Sequence, residues 1–322
     1  MESQMMAALV GSYGPPEVIA VRAVPMPVPR PGEVLVGVAA AAVTSGDARI
    51  RAARFPPGFG FLARLGIGLL RPRAKVPGMV FSGQVVELGD GVTGFAAGDQ
   101  VTGMTGGRLG AHAEYVAVPA TVLAAKPDTV SHADAAGVLF GGSTALHFLR
   151  DRARVQAGQS VLVNGASGSV GSSAVQLAVH FGAVVTAVSS AGNHPLLREL
   201  GAKQVVDYRS SPVAGLAERF DVVFDAVGNL SRSQGLRLLN PGGALVLAVA
   251  SLWETATARG RVLAGAAPER SDDFALLLDL VARGVLDPLV ETVGGLDALP
   301  EAHRRIDTGR KTGNLVILPH GA

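Results

Sequence analysis

The chain has no cysteine among its 322 residues. It therefore forms no disulfide, offers no thiolate ligand to zinc and has no cysteine nucleophile. Charged residues are also scarce, at 17%, and the formal net charge is only +2. Because no basic block of the kind that follows a nucleic-acid backbone is present, we do not expect nucleic-acid binding.

Long apolar runs are missing as well. No uninterrupted apolar segment approaches the roughly 18 residues that a membrane span needs, so stable membrane insertion is not expected. The start, MESQMMAALVGSYG, lacks a basic stretch followed by an apolar run and a cleavage site, which favours a cytoplasmic protein. The 7 histidines are scattered without ligand spacing, and we expect no metal site.

The rhythm of the apolar runs divides the chain into three zones. Residues 1–125 hold short runs broken by Gly and Pro, such as EVLVGVAAAAV and SGQVVELG, which is typical of a β-barrel unit. In residues 126–266, helices alternate with buried strands, a pattern that predicts a parallel sheet with crossover helices. Residues 267–322 are too short for a core of their own, and we expect them to pack onto one of the earlier units.

A glycine turn lies in SVLVNGASGSVGSSAVQLA, Ser160 to Ala178, between a predicted strand and a predicted helix. In this context a dinucleotide pyrophosphate binds at the helix N-terminus. Gly168 allows the backbone to approach the phosphates, and Gly171 allows the helix to pack against the strand. The candidate cofactor residues of the turn are Ala166, which occupies the first glycine position of the usual motif, Ser167, Gly168, Ser169, Val170 and Gly171.

The residues that follow the next strand indicate which cofactor binds, because an acidic side chain there would bind the ribose hydroxyls of NAD. The chain has Ser189, Ser190 and Asn193 there, without an acid, which favours NADPH. Arg209, next to Tyr208, is the candidate for the positive charge that a 2′-phosphate needs. In the alternative interpretation, Asn193 only caps the helix that follows.

The turn segment VNGASGSVGSSAVQLA is one of six characteristic segments of the chain, and the others are PRPGEVLVGVAAAAVTSGDARIR, PGMVFSGQVVELGDGVTGFAAGDQV, GAHAEYVAVP, LGAKQVVDYR and FDAVGN. In this order the chain resembles the medium-chain dehydrogenase/reductase superfamily, and within it the zinc-free quinone oxidoreductase branch that includes zeta-crystallin-like enzymes. The resemblance implies an α/β fold with a GroES-like β-barrel catalytic domain (1–125) and a Rossmann domain with a doubly wound parallel sheet (126–266). It also implies a C-terminal segment (267–322) that returns to the catalytic domain, an active site in the cleft, and a homodimer.

The resemblance also implies which residues surround the nicotinamide. They are Thr44, Thr144, the backbone of Val227 and Gly228, and Asn314. Zinc alcohol dehydrogenases of the superfamily carry Gly-His-Glu and a four-cysteine lobe. This chain has PGMVFSG at the corresponding place and no cysteine, so a metal-polarised alcohol oxidation is not expected.

Few side chains are candidates for the chemistry itself. The hydroxyls of Thr44 and Thr144 are placed to donate to the acceptor oxygen, or are ordinary helix and turn hydroxyls. Asp47 is a candidate proton relay, although a structural carboxylate that pairs with Arg49 or caps a turn is the alternative. His112 and His147 are expected near the cleft in structural roles.

The stretch from Ala53 to Gly78 mixes apolar and basic residues. Such a segment suits a membrane surface, a dimer contact or one wall of the substrate cleft. We favour the cleft wall, with Phe59 and Phe61 facing a bulky apolar substrate.

Together these features predict a zinc-independent, NADPH-dependent reductase that transfers hydride to a small apolar quinone or an α,β-unsaturated ketone. Two alternatives stay open. One is a zinc-independent carbonyl reductase or alcohol dehydrogenase, and the other is a non-catalytic NADPH-binding protein like the crystallins.

Overall fold

A computed structural model describes residues 3–321. The strands are β1 (Gln4–Val10), β2 (Ile19–Pro25), β3 (Glu33–Val43), β4 (Val80–Leu88), β5 (Gln100–Met104), β6 (Tyr115–Pro119), β7 (Leu123–Ala125), β8 (Ser160–Asn164), β9 (Val184–Ser189), β10 (Gln204–Asp207), β11 (Phe220–Asp225), β12 (Leu239–Leu247), β13 (Val262–Ala264), β14 (Val290–Thr292) and β15 (Asn314–Ile317). The helices are α1 (Ser45–Ala52), α2 (Gly60–Ile67), α3 (His132–Leu146), α4 (Ser169–His180), α5 (His194–Glu199), α6 (Arg232–Arg237), α7 (Leu252–Ala256), α8 (Ser271–Ala282) and α9 (Leu299–Asp307). A π-helical turn, His147–Arg152, continues α3.

Strands of the first zone and of the end of the chain form one sheet. Its strand order is β14-β15-β3-β4-β5-β7, with β6 paired to β3, and a separate hairpin of β1 and β2 lies beside it. β3 is the long central strand of this sheet. Val36 and Val38 on β3, Phe81 on β4, Val101 on β5 and Leu315 on β15 are fully buried in the same core. The barrel-like unit that the sequence predicts is confirmed.

The second sheet is parallel throughout, with the order β10-β9-β8-β11-β12-β13. Val161 and Val163 of β8 pack in one core, together with α3, α4 and α8, and Leu162 between them packs in a second core on the opposite face. Both faces are therefore covered, as apolar strands of this kind require. This confirms the predicted doubly wound Rossmann sheet.

α3 packs against both units, contacting α4 on one side and β3 and β4 of the barrel on the other. A Cβ on Gly141 would stand 2.4 Å from the Ser169 carbonyl oxygen, so a glycine is needed where α3 passes the start of α4. The C-terminal β15 pairs antiparallel with β3. The domain boundaries after residues 125 and 266 stay predictions. Within residues 3–321, no helix is long and apolar enough to cross a membrane.

Candidate functional site

The glycine turn leaves β8 and enters α4, whose first N–H groups have no capping side chain. Gly165 has a φ of +78°, and the N–H groups of Gly165 and Ala166 both donate to the Val188 carbonyl, at 3.1 and 3.0 Å. Gly168 is the N-cap of α4, and no side chain caps the first turn of that helix. The buried Ser169 Oγ has no hydrogen-bond partner within residues 3–321. Free N–H groups and a free hydroxyl at a helix N-terminus are the donors that a pyrophosphate takes up.

The two glycines of the turn differ in their surroundings. A Cβ on Gly171 would lie 2.1 Å from the Gly165 carbonyl oxygen and 2.8 Å from the Ala166 Cα. On Gly168 the nearest atom would be the Gly165 oxygen, at 3.7 Å. Gly171 is therefore required for helix and turn to pack, whereas the space beside Gly168 stays open for a ligand, and the turn fits a dinucleotide.

A buried carboxylate shapes the loop after β11. Asp225 is fully buried and accepts hydrogen bonds from the N–H groups of Val227, Gly228 and Leu230, at 3.0, 3.1 and 3.1 Å. The Asn164 amide also donates to it at 2.9 Å. Asp225 thus holds the Val227–Gly228 backbone against the glycine turn, where a Cβ on Gly165 would collide with Val227. Sequence analysis missed this role, although an acid at the end of a buried strand is a visible signal.

The predicted 2′-phosphate region lies at the ends of β9 and β10. Ser189 pairs in register with Asp207, whose carboxylate accepts from the Arg209 N–H at 2.9 Å. The exposed Arg209 guanidinium stands over the Tyr208 ring, 5.8 Å from its centroid. An acid is thus present beside Ser189, but on the neighbouring strand and already bonded.

Asn193 occupies the N-cap position of α5 without a capping hydrogen bond from its side chain. Its amide nitrogen donates to Ser190 Oγ at 3.4 Å, and its amide oxygen accepts from Thr312 Oγ1 at 3.3 Å. The alternative that Asn193 only caps the helix is therefore wrong. The side chain instead links the end of β9 to the C-terminal segment.

A cavity of about 180 Å³ lies where the two units meet. The glycine turn forms one side, and Thr44, Phe140 and Asn314 line the other. Asn314 is buried, and its amide donates to the Pro288 carbonyl at 2.6 Å. A second cavity of about 490 Å³ adjoins the first, because Ser45, Ile306 and Gly309 line both. The two cavities form one cleft between the dinucleotide turn and the barrel.

The proposed catalytic pair of Thr44 and Asp47 forms a capping box at the start of α1. Thr44 Oγ1 donates to Asp47 Oδ2 at 2.6 Å, and the Thr44 N–H donates to the same oxygen at 2.8 Å. The structural alternative for Asp47 is thus the one this geometry favours. Asp47 caps helix α1. Among the described residues it forms no ion pair with Arg49. The proton of Thr44 is engaged within this box.

Thr144 lies further along α3 than the cavity-lining Phe140. Its hydroxyl donates to the Phe140 carbonyl at 2.9 Å, as hydroxyls inside helices often do.

The two histidines expected near the cleft lie elsewhere. His112 is fully buried and its Nε2 lies 3.1 Å from the Ala42 carbonyl oxygen. His147 lies in the π-helical turn, 3.4 Å from Asp151. Neither histidine lines the two cavities, which agrees with their predicted structural roles but not with a position at the cleft.

Two polar side chains of the cleft were missed by sequence analysis. Ser45 lines both cavities at their junction. Lys311 lines the smaller cavity and donates through Nζ to the Gly313 carbonyl. Burial, with the nearby charge of Arg305, lowers the pKa of Lys311 to about 8. The sequence shows a lysine in the segment KTGNLVI, but whether its side chain enters the cavity depends on how β15 joins the barrel sheet.

Only the beginning of the Ala53–Gly78 stretch forms a cleft wall. Arg54, Phe55, Pro56 and Pro57 line the larger cavity. Phe59 and Phe61 do not, and Phe61 is 69% exposed, so the expectation that these two rings face the substrate is wrong. The reason is local, because α2 starts at Gly60 and carries the rest of the stretch away from the cleft.

No group of three or more His, Cys, Asp or Glu within residues 3–321 is arranged to hold a metal ion. The absence of a metal from the reaction stays a prediction.

Comparison with known proteins matches two family models to the chain. Residues 30–128 match the alcohol dehydrogenase GroES-like domain, and residues 200–317 match the family described as zinc-binding dehydrogenase. A 2-methylene-furan-3-one reductase of Solanum lycopersicum is 31% identical over 98% of this chain and 80% of its own length. An NADPH-dependent alkenal/one oxidoreductase of Arabidopsis thaliana is 29% identical over 98% of this chain and 80% of its own length.

Among solved structures, the quinone oxidoreductase of Coxiella burnetii superposes with a TM-score of 0.88 at 28% identity, covering 98% of this chain and 99% of that one. The likeness thus includes both units and the cleft between them. This protein belongs to the medium-chain dehydrogenase/reductase superfamily, in its quinone oxidoreductase branch, and is a pyridine-nucleotide-dependent oxidoreductase.

Proposed function

We propose that this protein is a metal-independent, NADPH-dependent reductase of small apolar quinones or α,β-unsaturated ketones. The observation that carries the proposal is the joined pair of cavities, in which an open dinucleotide turn meets a barrel-side pocket through Ser45. The names of the tomato and Arabidopsis relatives, which specify reduction of enones and alkenals, support the acceptor class.

The pyrophosphate would be bound by the N–H groups at the start of α4, by Ser169 Oγ and by Lys311. Ser189, Ser190 and Asn193 would surround the adenosine ribose, and Arg209 would face the 2′-phosphate. The absence of an acid at the end of β9 supports NADPH over NADH.

When bound, the nicotinamide supplies a hydride to the acceptor, and the acceptor oxygen then gains negative charge. A hydrogen-bond donor close to that oxygen stabilises the charge. Because the proton of Thr44 is engaged by Asp47, we propose Ser45 as this donor, at the junction of the cavities. Water from the open end of the cleft would provide the proton that completes the reduction.

The wall of the larger cavity supports a small apolar acceptor. Phe55, Pro56, Pro57, Val249 and Ile306 contribute apolar surface to it. This apolar part of the wall favours a flat conjugated molecule by excluding water, and the charged Arg49, Arg54, Glu254 and Asp307 lie beside it.

We further propose that the protein is cytoplasmic and that its domain boundaries lie after residues 125 and 266. We also propose that it forms a homodimer. β13 ends the parallel sheet and is paired only on its β12 side within residues 3–321, which supports edge-to-edge addition of a second copy. Sedimentation velocity tests the dimer.

The reductase proposal is tested by the loss of nicotinamide absorbance when the chelator-treated protein is mixed with NADPH or NADH and a panel of quinones and enones. We expect turnover on at least one acceptor class, faster with NADPH. Tight NADPH binding without turnover on the whole panel would instead support the non-catalytic alternative. Turnover confined to saturated carbonyls or alcohols would support the carbonyl reductase.

A further inference from the structure

An exposed apolar surface surrounds α2 and reaches α7. None of the residues of α2 is buried. The large apolar side chains are Phe61, Leu62, Leu65, Leu69, Leu70 and, on α7, Trp253, with 69, 51, 44, 52, 91 and 76% of their surfaces exposed. We call residues 60–75 together with Trp253 the basic apolar surface. Apolar side chains grouped in this way on a folded protein mark an interaction site.

The charges of this surface have one sign. Between Asp47 and Glu87 the sequence contains no acidic residue. The exposed cations of the region are Arg54, Arg64, Arg71, Arg73 and Lys75. None of these cations takes part in the ion pairs found within residues 3–321, whereas Arg150, Arg304 and Arg305 elsewhere are each paired with a carboxylate. Glu254, next to Trp253, accepts a hydrogen bond from Ser251 Oγ at 2.7 Å within the capping box of α7.

We propose that the basic apolar surface docks on an anionic lipid membrane and that an acceptor dissolved in the membrane enters the cleft from there. The entry of the acceptor rests on the proposed function, whereas the docking on the membrane does not. Leu, Phe and Trp side chains bordered by unpaired Arg and Lys are the composition of interfacial protein segments. Such cations each gain roughly 1 kcal/mol near an anionic bilayer.

A second copy of the chain fits this surface less well. Two copies related by a twofold axis would place the same patch against itself. The exposed cations of one copy, Arg64, Arg71, Arg73 and Lys75, would then face those of the other, which is unfavourable.

The docking surface is continuous with the mouth of the cleft. Residues Arg54 to Pro57, which line the larger cavity, lead directly into α2. The Pro57 carbonyl accepts from the Leu252 N–H at 2.9 Å, and Leu252 is the neighbour of Trp253 in α7. A membrane in contact with Phe61 and Trp253 would therefore meet the protein beside the cavity that we assign to the acceptor.

Trp253 is the only tryptophan of the chain, so its fluorescence reports on this surface alone. The experiment mixes the full-length protein with vesicles of pure phosphatidylcholine or of phosphatidylcholine with phosphatidylglycerol, and measures emission together with co-sedimentation. We expect a blue shift and pelleting with the anionic vesicles, weakened by added salt, and much weaker binding to the neutral ones.

Two variants separate the charges from the apolar side chains. Reversing the charges in R71E/R73E should weaken binding to anionic vesicles by about tenfold or more, and L69S/L70S should abolish the blue shift. The matched control is R198E/K203E. It reverses two exposed cations beside α5 and β10, at the edge of the parallel sheet opposite to β13, and should bind like the wild type.

Equal binding of the wild type and R71E/R73E would overturn the proposal, as would the absence of binding to any vesicle. A dimer that forms without vesicles and is lost in L69S/L70S would assign the surface to a second copy instead. Turnover of a water-soluble enone or quinone is measured in parallel and should be unchanged in both variants. If that turnover is absent in the wild type, the proposed function fails, whatever the vesicles show.

Discussion

Gly313 forms a parallel β-bridge with Gly168, and its N–H donates to the Ser167 carbonyl at 2.9 Å. The C-terminal segment, whose strand β15 belongs to the barrel sheet, is thereby fastened to the glycine turn of the Rossmann sheet. Gly313 has a φ of +56°, and a Cβ there would stand 2.1 Å from the Leu289 carbonyl oxygen, so glycine is required. This contact places Lys311 in the cavity that the turn lines.

Lys311 is expected to bind the pyrophosphate that NADPH and NADH share. Replacing it in K311M should raise the dissociation constants of both nucleotides by a similar factor of about ten, because one charge-assisted hydrogen bond is lost. Nicotinamide fluorescence measures both constants. A loss confined to NADPH would place Lys311 at the 2′-phosphate, and unchanged constants with a lower kcat would make it a proton donor.

The pH dependence of binding gives a second test of Lys311. Its pKa in the free protein is lowered to about 8, so the ammonium is charged below that pH and neutral above it. An anion bound beside it favours the charged form. Affinity for both nucleotides should therefore fall as the pH rises above about 8 in the wild type. K311M should lack this bend in the profile.

Alanine at the two glycines of the turn should have different consequences. In G171A the new methyl would meet the Gly165 carbonyl oxygen at 2.1 Å, and the chain should lose roughly 1–3 kcal/mol of stability. In G168A the nearest protein atom is 3.7 Å away, so the thermal midpoint should stay near that of the wild type. Nucleotide affinity should nevertheless fall by about tenfold, because the methyl takes up space beside the phosphates. Unchanged affinity in G168A would show that the pyrophosphate binds elsewhere.

Arg209 is expected to distinguish NADPH from NADH. Its guanidinium is exposed, so R209Q should weaken NADPH binding only modestly, by roughly threefold to fivefold, and leave NADH unchanged. The effect should fade with added salt. K203Q, which removes an exposed cation at the other end of β10, is the matched control. If R209Q weakened both nucleotides equally, the assignment to the 2′-phosphate would be wrong.

Ser45 is expected to act on the acceptor and not on the nucleotide. S45A should lower kcat by roughly a hundredfold to a thousandfold, as the loss of one donor to a developing oxyanion does, with the NADPH dissociation constant unchanged. T144V is a suitable comparison, because the Thr144 hydroxyl already donates to the Phe140 carbonyl. Equal rates for S45A and the wild type would return the donor role to Thr44 or to water.

The layers of this fold follow from patterns that are visible in the sequence. EVLVGVAAAAV and SGQVVELG become the paired strands β3 and β4, and SVLVN becomes β8, because apolar runs bounded by Gly and Pro leave few other ways to bury them. The glycine turn is equally local, since a strand, three glycines and a helix specify it without distant contacts.

The chemistry of the cleft was harder to predict. The partner of Thr44 is only three residues away in the capping box, yet choosing between a cap and a proton relay required the hydrogen bonds themselves. Lys311 and Ser45 became candidates only when a C-terminal strand and an N-terminal helix met the turn. Such contacts join residues that are far apart in sequence, and no local pattern encodes them.

The helix α2 shows the same limit on the outer surface. α2 buries none of its residues, so its sequence GFLARLGI carries apolar side chains without a core to receive them. The cleft wall was predicted for Phe59 and Phe61 because, in the family that the chain resembles, this segment precedes the PGM strand near the active site, and that position does not specify which way the side chains point.

The buried His303 should make the fold sensitive to acid. Burial, with the nearby charges of His112 and Arg51, lowers its pKa to about 3, and its two ring nitrogens have no hydrogen-bond partner within residues 3–321. In the unfolded chain the ordinary pKa is about 6.5. Between these two values the unfolded chain binds one more proton than the folded one. The free energy of unfolding should therefore be intact above pH 6.5 and fall below it by up to about 1.4 kcal/mol per pH unit from this residue. Denaturant unfolding at several pH values measures this slope. In H303L no hydrogen bond is lost, and the part of the slope that comes from His303 should vanish. Identical slopes in H303L and the wild type would mean that His303 does not titrate on unfolding in this range.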